Sequence, residues 1–140
     1  MVVGNPELPF IYNVSQHVGP GKANLGDDCE LIRFFLAEIL KKPGPDRRVN
    51  GPAPTMGRDF DLITGFWLFE YQFLMHEKGQ ATIDGVASPA HGVTISYPTG
   101  KFWLIGALNY SYKHDYPDNF PKLHEDSRLS MTLRNSIGPV

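Results

Sequence analysis

The stretch DDCELIRFFLAEILKK, residues 27–42, decides the fold. Its apolar positions recur at intervals of three and four residues, which is the period of one face of an α-helix; they are Ile32, Phe35, Leu36, Ile39 and Leu40. Asp27 and Asp28 stand at its start, where carboxylates can accept orphan N–H groups and meet the positive end of the helix dipole, and Pro43 stops it. The sequence therefore predicts a helix over 27–42.

A second helix is predicted in DFDLITGFWLFEYQFLMHEKG, residues 59–79. Asp59 or Asp61 can cap its start, and Gly79 suits the residue after its end. We expect its apolar stripe to face the core, and this stripe consists of Phe66, Phe69, Phe73 and Leu74. Core packing is also the expected role of Trp67.

A third helix is predicted in GKFWLIGALNYSYKHDYP, residues 100–117, although its aromatic residues also suit a strand. Period-two alternation predicts three short strands, whose apolar positions are Phe10, Tyr12 and Val14, then Val93, Ile95 and Tyr97, and last Leu129, Met131 and Leu133. Such short strands are not stable alone, so we expect them to pair with each other or with another chain. The predicted fold is α+β, with a helical core and short strands from the N- and C-terminal segments.

Composition limits the function. The 140 residues fit one domain, residues 1–140, and 13 Lys and Arg against 15 Asp and Glu leave no basic cluster for a nucleic acid. The single cysteine, Cys29, excludes an internal disulfide and a thiolate metal cage. Because no secretory signal or membrane-spanning run is evident, we expect synthesis in the cytoplasm and no membrane insertion. If the protein is part of an extracellular or virion assembly, we expect its release by a route that the sequence does not identify.

A series of turn and helix motifs runs in a fixed order through residues 18–110. The motifs are Val18-Gly19-Pro20-Gly21-Lys22-Ala23-Asn24, Asp28-Cys29-Glu30-Leu31-Ile32-Arg33-Phe34-Phe35-Leu36, Val49-Asn50-Gly51, Phe60-Asp61-Leu62-Ile63-Thr64, Tyr71-Gln72, Asp84-Gly85-Val86-Ala87-Ser88-Pro89 and Ile105-Gly106-Ala107-Leu108-Asn109. Their order resembles the peptidoglycan-binding-like domain, a small three-helix module of bacteria and their phages. In that family V-G-x-G-x-x-N precedes D-V-x-L-(V/I)-x-x-L-L, and D-G turns separate the helices.

The resemblance implies a three-helix core over 18–110 and binding of peptidoglycan or another cell-envelope glycan without catalysis. Asn50 stands where the family has Asp, and Pro52 to Arg58 form an insertion. Residues 1–17 and 118–140 have no counterpart in the module, and we interpret them as strand-like arms.

Candidate catalytic and metal motifs are incomplete. Gly19-Pro20-Gly21-Lys22 lacks the remaining glycine and the Ser or Thr of a phosphate loop. Ser15-Gln16-His17 resembles the S-x-H opening of zinc D,D-peptidases, but Pro20 falls where that pattern has Gly. The cluster of His114, Asp115, Asp118, His124, Glu125 and Asp126 has the spacing of a surface loop. Cys29 suits a small buried side chain, since the sequence identifies no His partner for it. The sequence therefore predicts no enzyme, no cofactor and no metal site.

Two functions remain, and they belong to different classes. The first is a structural subunit of a homomeric assembly, such as a phage particle, an injection apparatus or a filament, joined to its copies through the terminal segments by strand exchange. Deletion of residues 1–16 is then expected to leave a helical core that no longer assembles. The alternative is a glycan-binding module. Aromatic side chains predicted to contact either partner are Tyr12, Trp103, Tyr110, Tyr112 and Tyr116.

Overall fold

The computed structural model describes residues 2–3, 10–41, 52–77, 83–90 and 104–137. These residues form strands β1 (Val2–Val3) and β2 (Phe10–Ile11), helices α1 (Gly26–Ile39), α2 (Leu62–Glu77), α3 (Leu104–Asp115) and α4 (Met131–Ile137), and a 3-10 helix at Phe120–Glu125. The described part of the chain is therefore mainly helical, and the α+β prediction gave too much weight to strands. None of the helices in these ranges has the length and apolar character that crossing a bilayer requires.

Helix α1 lies at the centre of the fold, since it contacts α2, α3 and α4. The predicted helix over 27–42 is confirmed, but it ends at Ile39. Its buried apolar side chains are Cys29, Leu31, Ile32, Phe34, Phe35 and Leu36. Burial on this scale makes α1 the element around which the other helices pack.

Two charged residues of α1 hold the loops on either side of it. Asp28 is buried and accepts hydrogen bonds from the backbone N–H groups of Ser15, at 2.8 Å, and Gln16, at 2.9 Å. The N-cap residue of α1 is Leu25, which makes no side-chain cap, so Asp28 fixes the preceding segment instead of capping the helix. Arg33, also buried, donates to the Asp59 carboxylate at 2.8 Å.

The C-terminal segment forms helix α4, so the predicted strand at 129–133 is wrong. Leu129 and Leu133 are both buried, and their spacing of four residues also suits one face of a helix. Met131, between them, is 62% exposed. The Ser130 hydroxyl accepts from the Leu133 N–H at 3.2 Å, and Glu30 of α1 accepts from the Ser130 N–H at 2.6 Å. This cap and the burial of both leucines favour a helix packed on its own chain.

The N-terminal segment also pairs within the chain. Strands β1 and β2 are antiparallel, with Val2 opposite Ile11. The next residue, Tyr12, is held by α3, because the Asn109 Oδ1 accepts from the Tyr12 N–H at 2.7 Å and the Asn109 Nδ2 donates to the Tyr12 carbonyl at 3.0 Å. The side-chain amide of Asn109 thus bonds to the backbone N–H and carbonyl of Tyr12, as a neighbouring strand would do in a sheet. The predicted strand at 93–97 lies outside the described residues.

The third predicted helix is confirmed as α3. Its predicted apolar face is buried, and this face consists of Leu104, Ile105, Leu108 and Tyr112. The helix ends at Asp115, two residues before Pro117, which has no N–H to continue the helix.

Candidate functional site

Helix α2 presents large apolar side chains to solvent along one side. Leu62 is 92% exposed, Ile63 is 38% exposed, Phe66 is 44% exposed and Phe69 is 46% exposed. The rings of Phe69 and Phe73 lie 6.5 Å apart, which continues the apolar surface toward the C-terminal end. We call the line formed by Leu62, Phe66, Phe69 and Phe73 the α2 seam.

The opposite side of α2 faces the core. Thr64, Leu68 and Gln72 follow each other at intervals of four residues and are buried, and so is Trp67. The indole N–H of Trp67 donates to the Pro52 carbonyl at 2.6 Å. The prediction that Trp67 packs in the core is confirmed. The prediction that Phe66 and Phe69 do so is wrong, because the buried face of α2 lies on its other side.

The start of α2 is fixed by Asp61, one of the two predicted caps. Its carboxylate accepts from the backbone N–H of Thr64 at 2.8 Å and from the Thr64 hydroxyl at 2.5 Å, and it lies 3.3 Å from the guanidinium of Arg33. Burial alone would raise the pKa of Asp61, but these hydrogen bonds and the Arg33 charge together lower it. The first turn of α2, including Leu62, is therefore held in place while its side chains face solvent.

Two loops, residues 15–24 and 84–90, meet near the second half of α2, and we call their contact the turn junction. Val18 and Ala87 form an isolated antiparallel bridge, with N···O distances of 2.9 and 2.8 Å. Both side chains are buried. The bridge brings together two of the motifs that carry the family resemblance, the V-G-x-G-x-x-N turn and the second D-G turn.

Two carboxamide side chains brace the turn junction. Gln72 accepts from the Gly85 N–H at 2.6 Å and donates to the Val86 carbonyl at 3.0 Å. Asn24 accepts from the Gly19 N–H at 2.8 Å and donates to the Gly19 carbonyl at 2.9 Å. A Cβ at Gly19 would lie 2.9 Å from the Gly85 carbonyl oxygen, so the two turns approach closely only because residue 19 is glycine.

The rim of the turn junction is polar. The Nδ1 of His17 lies 2.9 Å from the Ser88 hydroxyl, and these residues are the neighbours of the bridged pair Val18 and Ala87, which explains why they meet. Gln16 and His17 are exposed and Ser88 is half-buried. This rim offers hydrogen-bond donors and acceptors to a polar ligand. A serine and a histidine at hydrogen-bond distance are two parts of an acyl-transfer site. Such a site also needs a group that orients the imidazole and donors that bind an oxyanion.

The predicted cluster is not a single surface loop, because His114 and Asp115 lie in α3, and His124 and Glu125 lie in the 3-10 helix. Asp126 pairs with Arg128 at 2.7 Å, and His114 lies 3.3 Å from Asp115. Within the described ranges, no group of three or more His, Cys, Asp and Glu side chains lies close enough to hold a metal ion.

Tyr12 and Tyr112, two of the predicted contact residues, are buried in the core. The Tyr12 hydroxyl accepts from the Leu123 N–H at 3.4 Å, and the Tyr112 hydroxyl accepts from the Asn119 side chain at 2.7 Å. Burial raises the pKa of both phenols to about 12. These placements leave neither ring available to a partner.

The remaining predicted contact residues have different placements. Tyr110 and Tyr116 are half-buried and pack against the core, and the Tyr116 hydroxyl donates to the Glu38 carbonyl at 2.8 Å. Trp103 lies outside the described residues. Exposed aromatic surface is found instead on α2, at Phe66 and Phe69. Apolar residues surround this helix, so its sequence does not indicate which side is exposed.

Cys29 lies within the buried core. Burial, together with the nearby charges of Asp28 and Asp59, raises the pKa of its thiol to about 11. A thiol that stays protonated at neutral pH is a poor nucleophile, so this geometry favours the packing role expected for Cys29.

Comparison of the chain with family models, with curated proteins and with solved structures finds no match. The resemblance to peptidoglycan-binding-like domains stays a hypothesis that rests on the quoted motifs. The described residues present two candidate contact surfaces, the α2 seam and the rim of the turn junction.

Proposed function

We propose that the protein is a non-catalytic structural subunit of a homomeric assembly, of the kind that builds a phage particle, an injection apparatus or a filament. The observation that supports this proposal is the α2 seam with the adjacent Ile63. Helix α2 exposes four of these side chains at its start and middle, while its other face is packed in the core; they are Leu62, Ile63, Phe66 and Phe69. Contiguous apolar surface of this kind marks protein interaction sites.

The size of this surface fits the centre of an interface. With full side-chain areas on the order of 200 Å², the exposed parts of Leu62, Ile63, Phe66 and Phe69 present roughly 400 Å² of apolar surface. The largest apolar patch of a typical monomer spans about 300–600 Å² and is often functional. A standard interface buries about 800 Å² per partner, so the polar surroundings of the seam are needed to complete one.

The seam replaces the terminal segments as the expected contact between copies. Strand β2 pairs with β1 of the same chain, and Tyr12 is bonded to Asn109. Helix α4 packs on α1 through Leu133 and Ser130. Strand exchange would first require these contacts to break, whereas Leu62, Phe66 and Phe69 of the seam are exposed without any rearrangement.

Analytical ultracentrifugation over a wide range of protein concentration, followed by negative-stain microscopy, tests the proposal. The wild-type protein is expected to associate reversibly into ordered oligomers. The double variant Phe66→Ser, Phe69→Ser removes the middle of the seam and is expected to sediment as a monomer. The matched control is Met131→Ser, which removes an apolar side chain that is 62% exposed on α4 and is expected to leave association unchanged.

Far-ultraviolet circular dichroism of both variants checks that the helices are retained. A wild-type protein that stays monomeric at hundreds of micromolar overturns the proposal. Equal association of the wild-type protein and the double variant also overturns it, because the contact would then lie elsewhere.

A second candidate function is the peptidoglycan-binding module, and the turn junction favours it. Gln72, Asn24 and the Val18 bridge join motifs of the family resemblance into one hydrogen-bonded unit. This unit supports the further proposal that α1, α2 and α3 form the three-helix core of that module. The exposed Gln16 and His17 at its rim suit the hydroxyl and amide groups of a cell-wall glycan.

Co-sedimentation with purified sacculi distinguishes the two functions. Binding by a monodisperse monomer that is lost in the variant Gln16→Ala, His17→Ala and retained in the seam variant supports the glycan module and overturns the assembly. Ordered oligomers that do not co-sediment with sacculi overturn the glycan-binding function instead.

A further inference from the structure

The α2 seam has the spacing of a helix-pairing surface. Leu62, Phe66, Phe69 and Phe73 are separated by four, three and four residues, which is the interval of the a and d positions of a heptad. At 1.5 Å per residue they form a line about 16 Å long on one side of the helix. The core of the protein occupies the other side, through Leu68 and Gln72.

We propose that the seam pairs with the seam of a second copy of this chain in an antiparallel, two-fold symmetric arrangement. This inference rests on the proposed function, in which copies of the chain meet through α2. In such an isologous pair, Leu62 of one copy lies beside Phe73 of the other, and Phe66 lies beside Phe69.

A second copy is the occupant that the chemistry of the seam fits. The seam itself carries no charged residue, so nothing in it selects an acidic or a basic partner. Two identical lines of leucine and phenylalanine complement each other by interdigitation, as a and d residues do. The apolar area, roughly 400 Å² per copy with Ile63 included, is smaller than a standard interface, so the polar surroundings of the seam complete the contact. A two-fold pair is closed, so it supplies the dimer from which a larger assembly is built.

The shape of the seam distinguishes antiparallel from parallel pairing. The side chains protrude most at the start of the helix, where Leu62 is 92% exposed, and less in the middle, where Phe66 and Phe69 are 44% and 46% exposed. Phe73, at the far end, is half-buried. An antiparallel pair sets the protruding end of one seam against the recessed end of the other. A parallel pair sets both protruding ends against each other and leaves the recessed ends apart.

Electrostatics favours the same direction. The Asp59 side chain is 81% exposed just before α2, and the Asp61 carboxylate lies at its first turn. Because Arg33 pairs with both carboxylates, the direction depends mainly on the helix dipoles, whose positive ends lie side by side in a parallel pair. Antiparallel pairing opposes the two dipoles, which is the lower-energy arrangement.

Cysteine cross-linking tests the direction, because the wild-type thiol of Cys29 is buried and serves as the unlinked control. Leu62→Cys is oxidised alone and in an equal mixture with Phe73→Cys, at a concentration at which the wild-type protein associates. A disulfide requires Cα atoms closer than about 7 Å. The antiparallel pair is expected to link residue 62 to residue 73 in the mixture. It leaves Leu62→Cys alone unlinked, because the two copies of residue 62 lie about 16 Å apart along the axis.

A nitroxide attached to Leu62→Cys gives a second readout that does not depend on the Phe73 variant folding. Pulsed electron paramagnetic resonance is expected to report a label separation above about 16 Å in the antiparallel pair and a much shorter one in a parallel pair. Cross-linking of Leu62→Cys to itself overturns the antiparallel arrangement while the assembly proposal stands. The antiparallel arrangement is also overturned if the Leu62→Cys and Phe73→Cys proteins are folded and associate but form no disulfide between positions 62 and 73. Failure of the wild-type protein to associate overturns both.

Discussion

Glu30 on α1 holds Ser130, the residue before α4 and 100 residues away in sequence, because its carboxylate accepts from both the backbone N–H and the hydroxyl of Ser130, each at 2.6 Å. Arg58 donates to the same carboxylate at 2.6 Å. A buried carboxylate with three charge-assisted or backbone partners joins the C-terminal segment, the loop before α2 and the central helix.

Replacing this carboxylate by an amide is expected to destabilise the protein. Glu30→Gln keeps the shape but removes the charge that pairs with Arg58, and its NH2 group faces other donors. We expect a loss of roughly 2–3 kcal/mol, less than the loss for a fully buried pair because the Arg58 side chain is 42% exposed. Urea denaturation measures the loss. Ser130→Ala removes the hydroxyl that caps Leu133 and donates to Glu30, but it keeps the ion pair between Glu30 and Arg58, and it is expected to cost about 1 kcal/mol. Equal costs for the two variants would contradict this account of the contact.

Replacing the Asn109 carboxamide by a carboxylate is expected to destabilise the protein. Its Nδ2 donates to the carbonyls of Tyr12 and Ile105, at 3.0 and 2.8 Å, and Asn109→Asp would place a buried negative charge against both. We expect a loss of roughly 3–5 kcal/mol at pH 7. Burial raises the pKa of such an acid above its value in the unfolded chain, so the cost is expected to shrink as the pH falls from 7 towards about 4, where the acid is protonated in both states.

A matched control for this prediction is Asn24→Asp. Asn24 makes the same pair of bonds, to the backbone of Gly19, but it is half-buried. Water can reach an added charge there, so the loss of stability is expected to be smaller. A loss at position 24 as large as that at position 109 would show that burial is not the cause.

Two leucines on α2 provide a direct test of which face of the helix is buried. Leu68 is fully buried, and Leu68→Ala is expected to cost about 2–5 kcal/mol by lost burial and the cavity left behind. Leu62 is 92% exposed, and Leu62→Ala is expected to change the free energy of unfolding by no more than about 0.5 kcal/mol. Denaturation is measured at a protein concentration low enough to exclude association. A similar cost for both substitutions would place Leu62 in the core.

The register of α2 was not predictable from its sequence, whereas the existence of the helix was. Ile63, Phe66, Trp67, Leu68 and Phe69 surround the helix on nearly all sides, so apolar periodicity does not choose a buried face. The choice comes from partners distant in sequence. Trp67 is bonded to the Pro52 carbonyl, and Gln72 is bonded to the turn at Gly85. By contrast, the helix predicted over 27–42 is confirmed as α1, although burial extends beyond its predicted face to Leu31 and Phe34.

The C-terminal helix is not predicted by its sequence for a related reason. Leu129, Met131 and Leu133 alternate as in a strand, but Leu129 and Leu133 also stand one helical turn apart. Ser130, a residue type that favours N-caps, was the local signal for a helix. The partner that completes this cap, Glu30, lies at the other end of the chain, and no local pattern indicates such a contact.

The thiol of Cys29 is expected to report unfolding. Because it is buried and its pKa is raised to about 11, a thiol reagent at pH 8 should leave the native protein unmodified for as long as it stays folded. Modification is expected to become rapid in urea, with the same midpoint as the loss of helical circular dichroism. Rapid modification of the native protein would show that the start of α1 opens locally, apart from global unfolding.

The buried phenols are expected to make the protein sensitive to alkali. Burial raises the pKa of Tyr12 and Tyr112 from 10.0 to about 12, and that of the Cys29 thiol from 9.0 to about 11. Each group is held neutral in the folded state, and the unfolded chain ionises at lower pH. The free energy of unfolding that depends on these neutral groups is therefore complete below pH 9, and it is lost as the pH rises from about 9 to 12.

Urea midpoints measured between pH 8 and 11.5 test this window. Each phenol is expected to contribute on the order of 2 kcal/mol of the loss at pH 11.5, so Tyr112→Phe should reduce the fall in stability above pH 10. The variant also loses the bond from Asn119 at every pH, so only the slope against pH carries information about ionisation. A slope that matches that of the wild-type protein would mean that the Tyr112 hydroxyl ionises as readily in the folded as in the unfolded chain, and thus that it is not buried.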